Sequence, residues 1–570
     1  MTLALEVPRP TRRDLLDSIA QRLKNGARAW AEETLGARIA LARSMLTGAG
    51  RIADRAVMAA CQAKGVAPGT PAEGEEWLAS PYTTQRLLRQ TIHSLLALEK
   101  EGATPIGAVR RTPGGRLAVR VFPADRLDGI VFAGLSGEVH LEKGADEAVL
   151  RDTRASFYRQ THRDGRLCLV LGAGNVNSIP AADVVAKLFN EGMVCLLKMN
   201  PVNAYMGPLL EEAFAEAIAQ GVLGIVYGGS EEGDYLAHHP AVDSVHITGS
   251  DKTHDLIVWG PPGQERSERI ARGAPLLEKE ITSELGNVTP ILVTPGRYSG
   301  RELDYQADNV AGMVTHNASF NCVAGKMLIL ARGWGQRTQF IALLLDKMAL
   351  TAPRRAWYPG AEERYRKLTS GRDEVTRLRG GEGLLPFALV GGLDAQDPDE
   401  PAYRMEAFCP LLFTTELASA DPLEFLEEAT RFANERLWGT LSAAVVASGH
   451  DLTDGVTAAA VERALEQLRY GAVCLNVWPG VAYSSGTGPW GAYPGASLAE
   501  IQSGRGFVHN TRMLEHVEKF VMRGPPAGRF KLPYFPSHRT AHVLGRRLAA
   551  LELDGRLVRL PGIVASALRG

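Results

Sequence analysis

The sequence predicts an α/β protein built on a parallel sheet, and three observations carry the prediction. Between residues 167 and 250, short apolar runs alternate with longer helical stretches, the order that gives right-handed crossovers and parallel strands. The turns LGAGN, KMNP, YGGS and ITGS all fall at the carboxyl ends of those runs, where such sheets bind ligands. The chain has 570 residues, of which 45% are hydrophobic. That is enough apolar material for more than one core, so two or more domains are expected.

Taken in order, residues 12–65 read as helical, with Leu15, Ile19, Leu23, Ala27 and Trp30 at helical spacing. APGTPAEGEE (67–76) reads as a loop, and TTQRLLRQTIHSLLALEKEG as a helix closed by Gly102. RLAVRVFPA and GIVFAG have strand character. LCLVLG, VCLLK, GIVYGG and SVHITG then read as strands. The helices between and after them are IPAADVVAKLFNEG, NAYMGPLLEEAFAEAIAQG, EGDYLAHH and SDKTHDLIVWG. The stretch 260–275, rich in polar residues, Gly and Pro, reads as an inserted surface loop. ITSELGNVTPILVTPG reopens the sheet pattern and marks a domain change near 288. The segment 380–402 is loop with a short strand, and the tail after about 525 is basic and Pro-rich, then helical and strand-like.

Composition also excludes functions. A formal net charge of -1 argues against a broad basic face for nucleic acid. No stretch approaches the ~20 apolar residues of a membrane span. The six cysteines are too sparse for a disulfide scaffold and none has metal-ligand spacing. His238, His239 and His316 likewise lack partners at useful spacing, so no metal site is expected. Free thiols and the lack of a signal-peptide pattern point to the cytoplasm.

LVLGAGNVN follows a strand, but the dinucleotide pattern G-x-G-x-x-G needs three glycines, and Asn177 stands where the third would be. The informative residue there is Asn175, an amide that can donate to an oxyanion. Further on come Lys198 at a strand end, Gly229 in YGGS, Gly249-Ser250, Glu284 in SELGN, Cys322 in HNASFNCVAGK, and Glu406 and Phe408 in EAFCP. Each alone has an ordinary structural reading. In this order, with LWGTLSAAVV, GAVCLN and PWGAYPG after them, the chain resembles the aldehyde dehydrogenase superfamily over roughly 12–515.

The resemblance implies a Rossmann-like cofactor domain with N-terminal helices over 1–288, an α/β catalytic domain over 289–490, and a closing segment over 491–570. It implies a homodimer or homotetramer, with a small β oligomerisation arm from segments near 150–166 and after 500. It implies that Cys322 is the nucleophile, that Asn175 and the Cys322 backbone N–H hold an oxyanion, and that Glu284 is the general base. Lys198 would grip the adenosine ribose and Gly249 and Ser250 would flank the cofactor. Glu406 would bind the nicotinamide ribose, and Phe408 would lie beside the ring. The cofactor would be NAD or NADP, because Pro201 stands where many members carry an acid that repels a 2′-phosphate.

The chain departs from the family pattern at several places. Ser319 and Phe320 replace the glycine and glutamine of N-x-G-Q-x-C, Asn287-Val288 replace the glycine and lysine of E-L-G-G-K, and Cys409 replaces the glycine of E-x-F-G-P. The expected activity is oxidation of an aldehyde to an acid. Two alternatives remain: a CoA-acylating aldehyde dehydrogenase or acyl-CoA reductase, which passes a thioester to CoA, and a catalytically silent scaffold.

Overall fold

A computed structural model describes residues 7–570 of the chain. Two sheets organise it. The first has six strands in the order Gly504–Arg505, Glu280–Leu285, Ser244–Gly249, Leu167–Leu171, Val194–Lys198, Leu223–Val226. All neighbours are parallel except the edge pair 504–505 with 283–284. The strand order reverses direction between Leu167–Leu171 and Ser244–Gly249, the kind of switch point at which ligands bind. The predicted strands of 167–250 are all present, because both faces of this sheet are covered and nearly every residue of each run is buried.

The second sheet has eleven strands. Its centre is the parallel set Ala472–Leu475, Ser442–Val446, Thr289–Val293, Gly325–Ala331 and Leu411–Leu417; its flank is Val109–Arg111, Leu117–Phe122 and Ser136–Leu141. The strand Val517–Arg523 joins flank to centre, parallel to Ala472–Leu475 and antiparallel to Ser136–Leu141. Thus 109–141 pairs with the sheet of the later residues and not with the 167–285 sheet that follows it in sequence. The N-terminal helices Arg13–Glu32, Leu35–Lys64 and Thr83–Glu101 cover the first sheet and share its apolar core.

Several expectations need correction. The helical stretch 12–65 is two helices, broken at Glu33-Thr34, where the Thr34 hydroxyl caps the second helix by accepting from Ala37 N–H at 3.2 Å. GIVFAG is not a strand: it falls in and just after helix Arg126–Val131, which Asp125 caps through Asp128 N–H at 2.8 Å. NAYMGPLLEEAFAEAIAQG is three short helices rather than one, interrupted at Phe214. The stretch 260–275 lies at the surface but contains a helix, Gln264–Arg272, with no buried residue; Glu265–Arg269 and Gln264–Glu268 pairs support it and Gly273 ends it. The segment 150–166 is not a β arm. Asp146 caps helix Glu147–Thr153, a short helix Ser156–Arg159 follows, and one apolar residue, Leu150, is buried in the first of them. The tail after 525 holds helices Ala541–Asp554 and Leu560–Leu568 and no strand.

Candidate active site

Cys322 lies between a helix and a strand. Helix Gly300–Thr315 ends, a tight turn His316–Ser319 reverses the chain, and Cys322 precedes strand Gly325–Ala331. Asn317, Ala318 and Ser319 are left-handed in succession, with φ of 57°, 53° and 69°. Each such residue costs about 1–2 kcal/mol, so the loop must be held from outside. Three ties hold it. The Asn317 amide donates to the Phe320 carbonyl at 3.1 Å. The Lys326 ammonium donates to Ser319 Oγ at 2.6 Å and to the carbonyls of Ser319 and Cys409 at 3.2 and 2.8 Å. The Trp478 indole donates to the Val323 carbonyl at 2.8 Å.

The other cysteines are buried, and only Cys322 is partly accessible. Its thiol donates to Glu284 Oε1 at 3.1 Å. Glu284 stands at the end of strand Glu280–Leu285, so the two sheets each supply one member of the pair. Burial pushes the Glu284 carboxyl up to about 7, reinforced by the Asp183 carboxylate and opposed by the hydrogen bond from Cys322. Burial also pushes the Cys322 thiol up, and the Glu284 charge adds to it. A carboxyl poised near neutrality can exchange a proton with a thiol or a water.

The Asn175 amide donates to the Phe320 carbonyl at 3.0 Å. That bond uses one of its two N–H groups and fixes the amide against the loop that carries Cys322. Among the described residues the Cys322 N–H donates to no backbone carbonyl. The Asn175 side chain is bonded to the backbone two residues before Cys322.

All nine residues singled out in the sequence line one cleft of about 500 Å³: Asn175, Lys198, Gly229, Gly249, Ser250, Glu284, Cys322, Glu406 and Phe408. The cleft follows the carboxyl ends of the first sheet and ends at the thiol. Lys198 donates to the carbonyls of Gly228 and Gly229 at 2.8 and 2.9 Å, and burial pulls its ammonium down to about 8. Ser250 caps helix Asp251–Trp259 by accepting from Thr253 N–H, which turns a helix N-terminus into the cleft. Glu406 Oε1 is buried without a partner, and burial pushes this carboxyl up to about 8. Its other oxygen lies so close to Gly286 that a Cβ there would approach within 2.1 Å. A carboxyl oxygen without a donor, a lysine and a helix N-terminus along one cleft fit a dinucleotide. Among the described residues, no group of three or more His, Cys, Asp and Glu is arranged to hold a metal ion.

Some site residues were not singled out in the sequence. Lys64, at the end of the second helix, donates to the Asn175 carbonyl at 3.2 Å and to Asn317 Oδ1 at 3.1 Å, and is neutralised by Glu76. It ties Asn175 to the loop before Cys322. A lysine at a helix C-terminus is ordinary, so its sequence position carried no signal. Lys326 opens an otherwise apolar strand, GKMLILA, and that mismatch was the one available clue.

With this geometry in place, the relationship to known proteins is defined. Residues 175–353 match the aldehyde dehydrogenase family, and the fold is that of solved aldehyde dehydrogenases. The chain is 30% identical over 128 residues to 4-trimethylaminobutyraldehyde dehydrogenase A of Danio rerio, a match covering 22% of this chain and 23% of that relative. The chain thus spans under a quarter of that relative's length. It is 22% identical over 399 residues to N-succinylglutamate 5-semialdehyde dehydrogenase 1 of Caulobacter vibrioides, covering 67% of this chain and 79% of the relative. Among solved structures, the gamma-glutamyl-gamma-aminobutyraldehyde dehydrogenase of Burkholderia cenocepacia superposes with a TM-score of 0.59 at 21% identity, covering 89% of this chain and 88% of that one. The NADP-dependent glyceraldehyde-3-phosphate dehydrogenase of Bacillus halodurans, complexed with NADP, gives 0.58 at 17% identity, covering 90% and 92%. At these identities the structural likeness speaks for the fold.

Proposed function

We propose that the chain oxidises an aldehyde to a carboxylic acid, with NAD or NADP in the cleft and Cys322 as the nucleophile. The observation that carries this reading is the Cys322–Glu284 pair, 3.1 Å apart where the cleft ends. Glu284 takes the thiol proton, and the sulfur attacks the carbonyl carbon to form a C–S bond. The free N–H of Asn175 and the Cys322 backbone N–H meet the resulting alkoxide, each worth about 3 kcal/mol. A bound nicotinamide supplies the acceptor for the hydride that the thiohemiacetal loses. Lys198, Ser250 and Glu406 hold that nucleotide, and Phe408 walls its inner end. Glu284 releases the first proton to solvent and then takes one from the water that opens the thioester left on Cys322. The C–S bond breaks and the sulfur recovers a proton. One aldehyde, one water and one oxidised nucleotide give one acid, one reduced nucleotide and a proton.

Glu284 beside the sulfur favours water over CoA as the acceptor, because transfer to CoA needs no base for water at that place. The free cysteines agree with a reducing cytoplasm, and a homodimer or homotetramer is the assembly expected. Among the described residues no helix is long and apolar enough to cross a membrane. The test is reduced-nicotinamide absorbance with a panel of aldehydes, each nucleotide, and CoA present or absent. Turnover without CoA, lost in Cys322→Ala, is expected. Turnover only with CoA would move the chain to the acylating reaction. Neither turnover nor nucleotide binding would leave a silent scaffold.

A further inference from the structure

A second cavity reaches Cys322 from the side away from the nucleotide cleft. It encloses about 420 Å³. Cys322 belongs to the walls of both cavities, and Glu284, Lys198 and Glu406 belong only to the cleft. Beside the thiol its walls are Val176, Val323 and Trp478; at the far end they are Phe530, Leu548 and Ile563. No Asp or Glu lines it among the described residues. The two charged side chains of its wall, Arg529 and Lys531, lie on the same short segment as exposed Phe530, which is 40% accessible. Ile130, on a separate wall, is 59% accessible, so the chamber opens to solvent between Ile130 and Phe530.

Residues 525–570 make the roof. The strap from Pro525 to Tyr534 crosses it, and the Tyr534 hydroxyl accepts from the Trp478 backbone N–H at 3.1 Å and donates to Asn309 Oδ1 at 2.6 Å. Helices Ala541–Asp554 and Leu560–Leu568 add Leu544, Leu548, Ile563 and Ala567. A long apolar chamber that starts at the nucleophile, carries no carboxylate and has its cations at the rim suits a substrate with an apolar body and a reactive end.

Resting on the reaction proposed above, we propose that the substrates are aldehydes with an extended apolar chain of medium length, which lies in this chamber with its carbonyl at Cys322. At ~30 Å³ per water-sized group, the volume holds on the order of ten to fourteen methylene-sized groups. The structure does not favour short or carboxylate-tailed aldehydes, because they leave the apolar walls wet or bring an anion into them.

The test is kcat/KM for straight-chain aldehydes from three to twelve carbons, with succinic semialdehyde as the anionic comparison. A rise of up to about fourfold per added methylene, carried mainly by KM and levelling near ten carbons, is expected. Ala567→Phe shortens the far end and is expected to move the plateau two to four carbons shorter. In parallel, decan-1-ol binding to Cys322→Ala is followed by calorimetry, which needs no turnover. A flat or falling series with short aldehydes still oxidised would overturn the chamber assignment and leave the proposed reaction standing. Loss of all aldehyde oxidation with decan-1-ol still bound would do the reverse. A Cys322→Ala protein that is folded, by circular dichroism, and binds no decan-1-ol would overturn the assignment outright.

Discussion

The two cavities that meet at Cys322 are built in opposite ways. The cleft carries the charged groups Lys198, Glu284 and Glu406, and much of its wall comes from the strand ends of one sheet, spaced by whole βα units. The apolar chamber draws on many separate stretches, from Leu78 to Ala567, and its roof carries no motif. Chemistry that must sit at strand ends is constrained in position and residue type. A wall that need only be apolar is constrained in volume and can come from anywhere in the chain.

Substitutions around the thiol test how far the two cavities depend on it and on each other. Cys322→Ala is expected to have the largest effect, removing turnover while nucleotide binding, read by fluorescence titration, survives. Glu284→Gln is expected to lower kcat by about 10²–10⁴-fold, because the thiol and the hydrolytic water both lose their base. In the native protein the rate should rise as pH passes about 7, where Glu284 loses its proton. The same shift has a stability consequence of the other sign. The folded carboxyl keeps its proton to about 7 and the unfolded one to about 4.5, so the stability this group contributes is present below 4.5 and lost as pH rises through 7. Glu284→Gln is therefore expected to stabilise the chain near pH 8 by at most ~3 kcal/mol, at about 1.4 kcal/mol per unit, and not near pH 4; urea melts at the two values check it.

Asn175→Ala comes next, at about 10²-fold in kcat. Lys198→Ala touches only the cleft. It is expected to raise KM for the nucleotide about tenfold and leave the chain-length profile unmoved; a shift in that profile would couple the two cavities. Ser319→Gly is the smallest. Glycine removes about 1 kcal/mol of left-handed strain. It also deprives the buried Lys326 ammonium of a hydroxyl at 2.6 Å, a bond worth about 1.5–3 kcal/mol. The loss exceeds the gain, so a net destabilisation of about 1 kcal/mol is expected by thermal denaturation.

The cleft was legible in the sequence because Asn175, Lys198 and Gly249 fall at the ends of short runs that alternate with helical stretches, and Glu284 where the sheet pattern reopens. The departures at the nucleophile loop were visible but unexplained until the structure joined them. Ser319 and Cys409, two positions where the family pattern has glycine, both present oxygens to Lys326, and Phe320 packs on Phe408 at 6.0 Å and on Tyr358 at 5.9 Å. No local pattern links residues 319, 326 and 409. GIVFAG misled because a short apolar run fits strand and helix alike, and the Asp125 cap decides between them. In 260–275, Gly260 and the Pro-Pro-Gly after it suggested a loop and masked the i,i+4 pairs that follow. The role of the tail after 525 was unreadable, since a roof over a cavity has no period and no motif.

The strand Val517–Arg523 sets a clock for biosynthesis. It fills the place between strands 136–141 and 472–475, so the larger sheet stays in two pieces until residue 523 has been made. At roughly 5–20 residues per second, the edge 136–141 waits on the order of twenty to eighty seconds for its partner. Val139 and Leu141, fully buried in the finished fold, lie beside an open edge all that time. Such long-range pairing also makes the closing step slow. Yield on expression should therefore depend on temperature and chaperone supply during that interval more than on the stability of the completed chain.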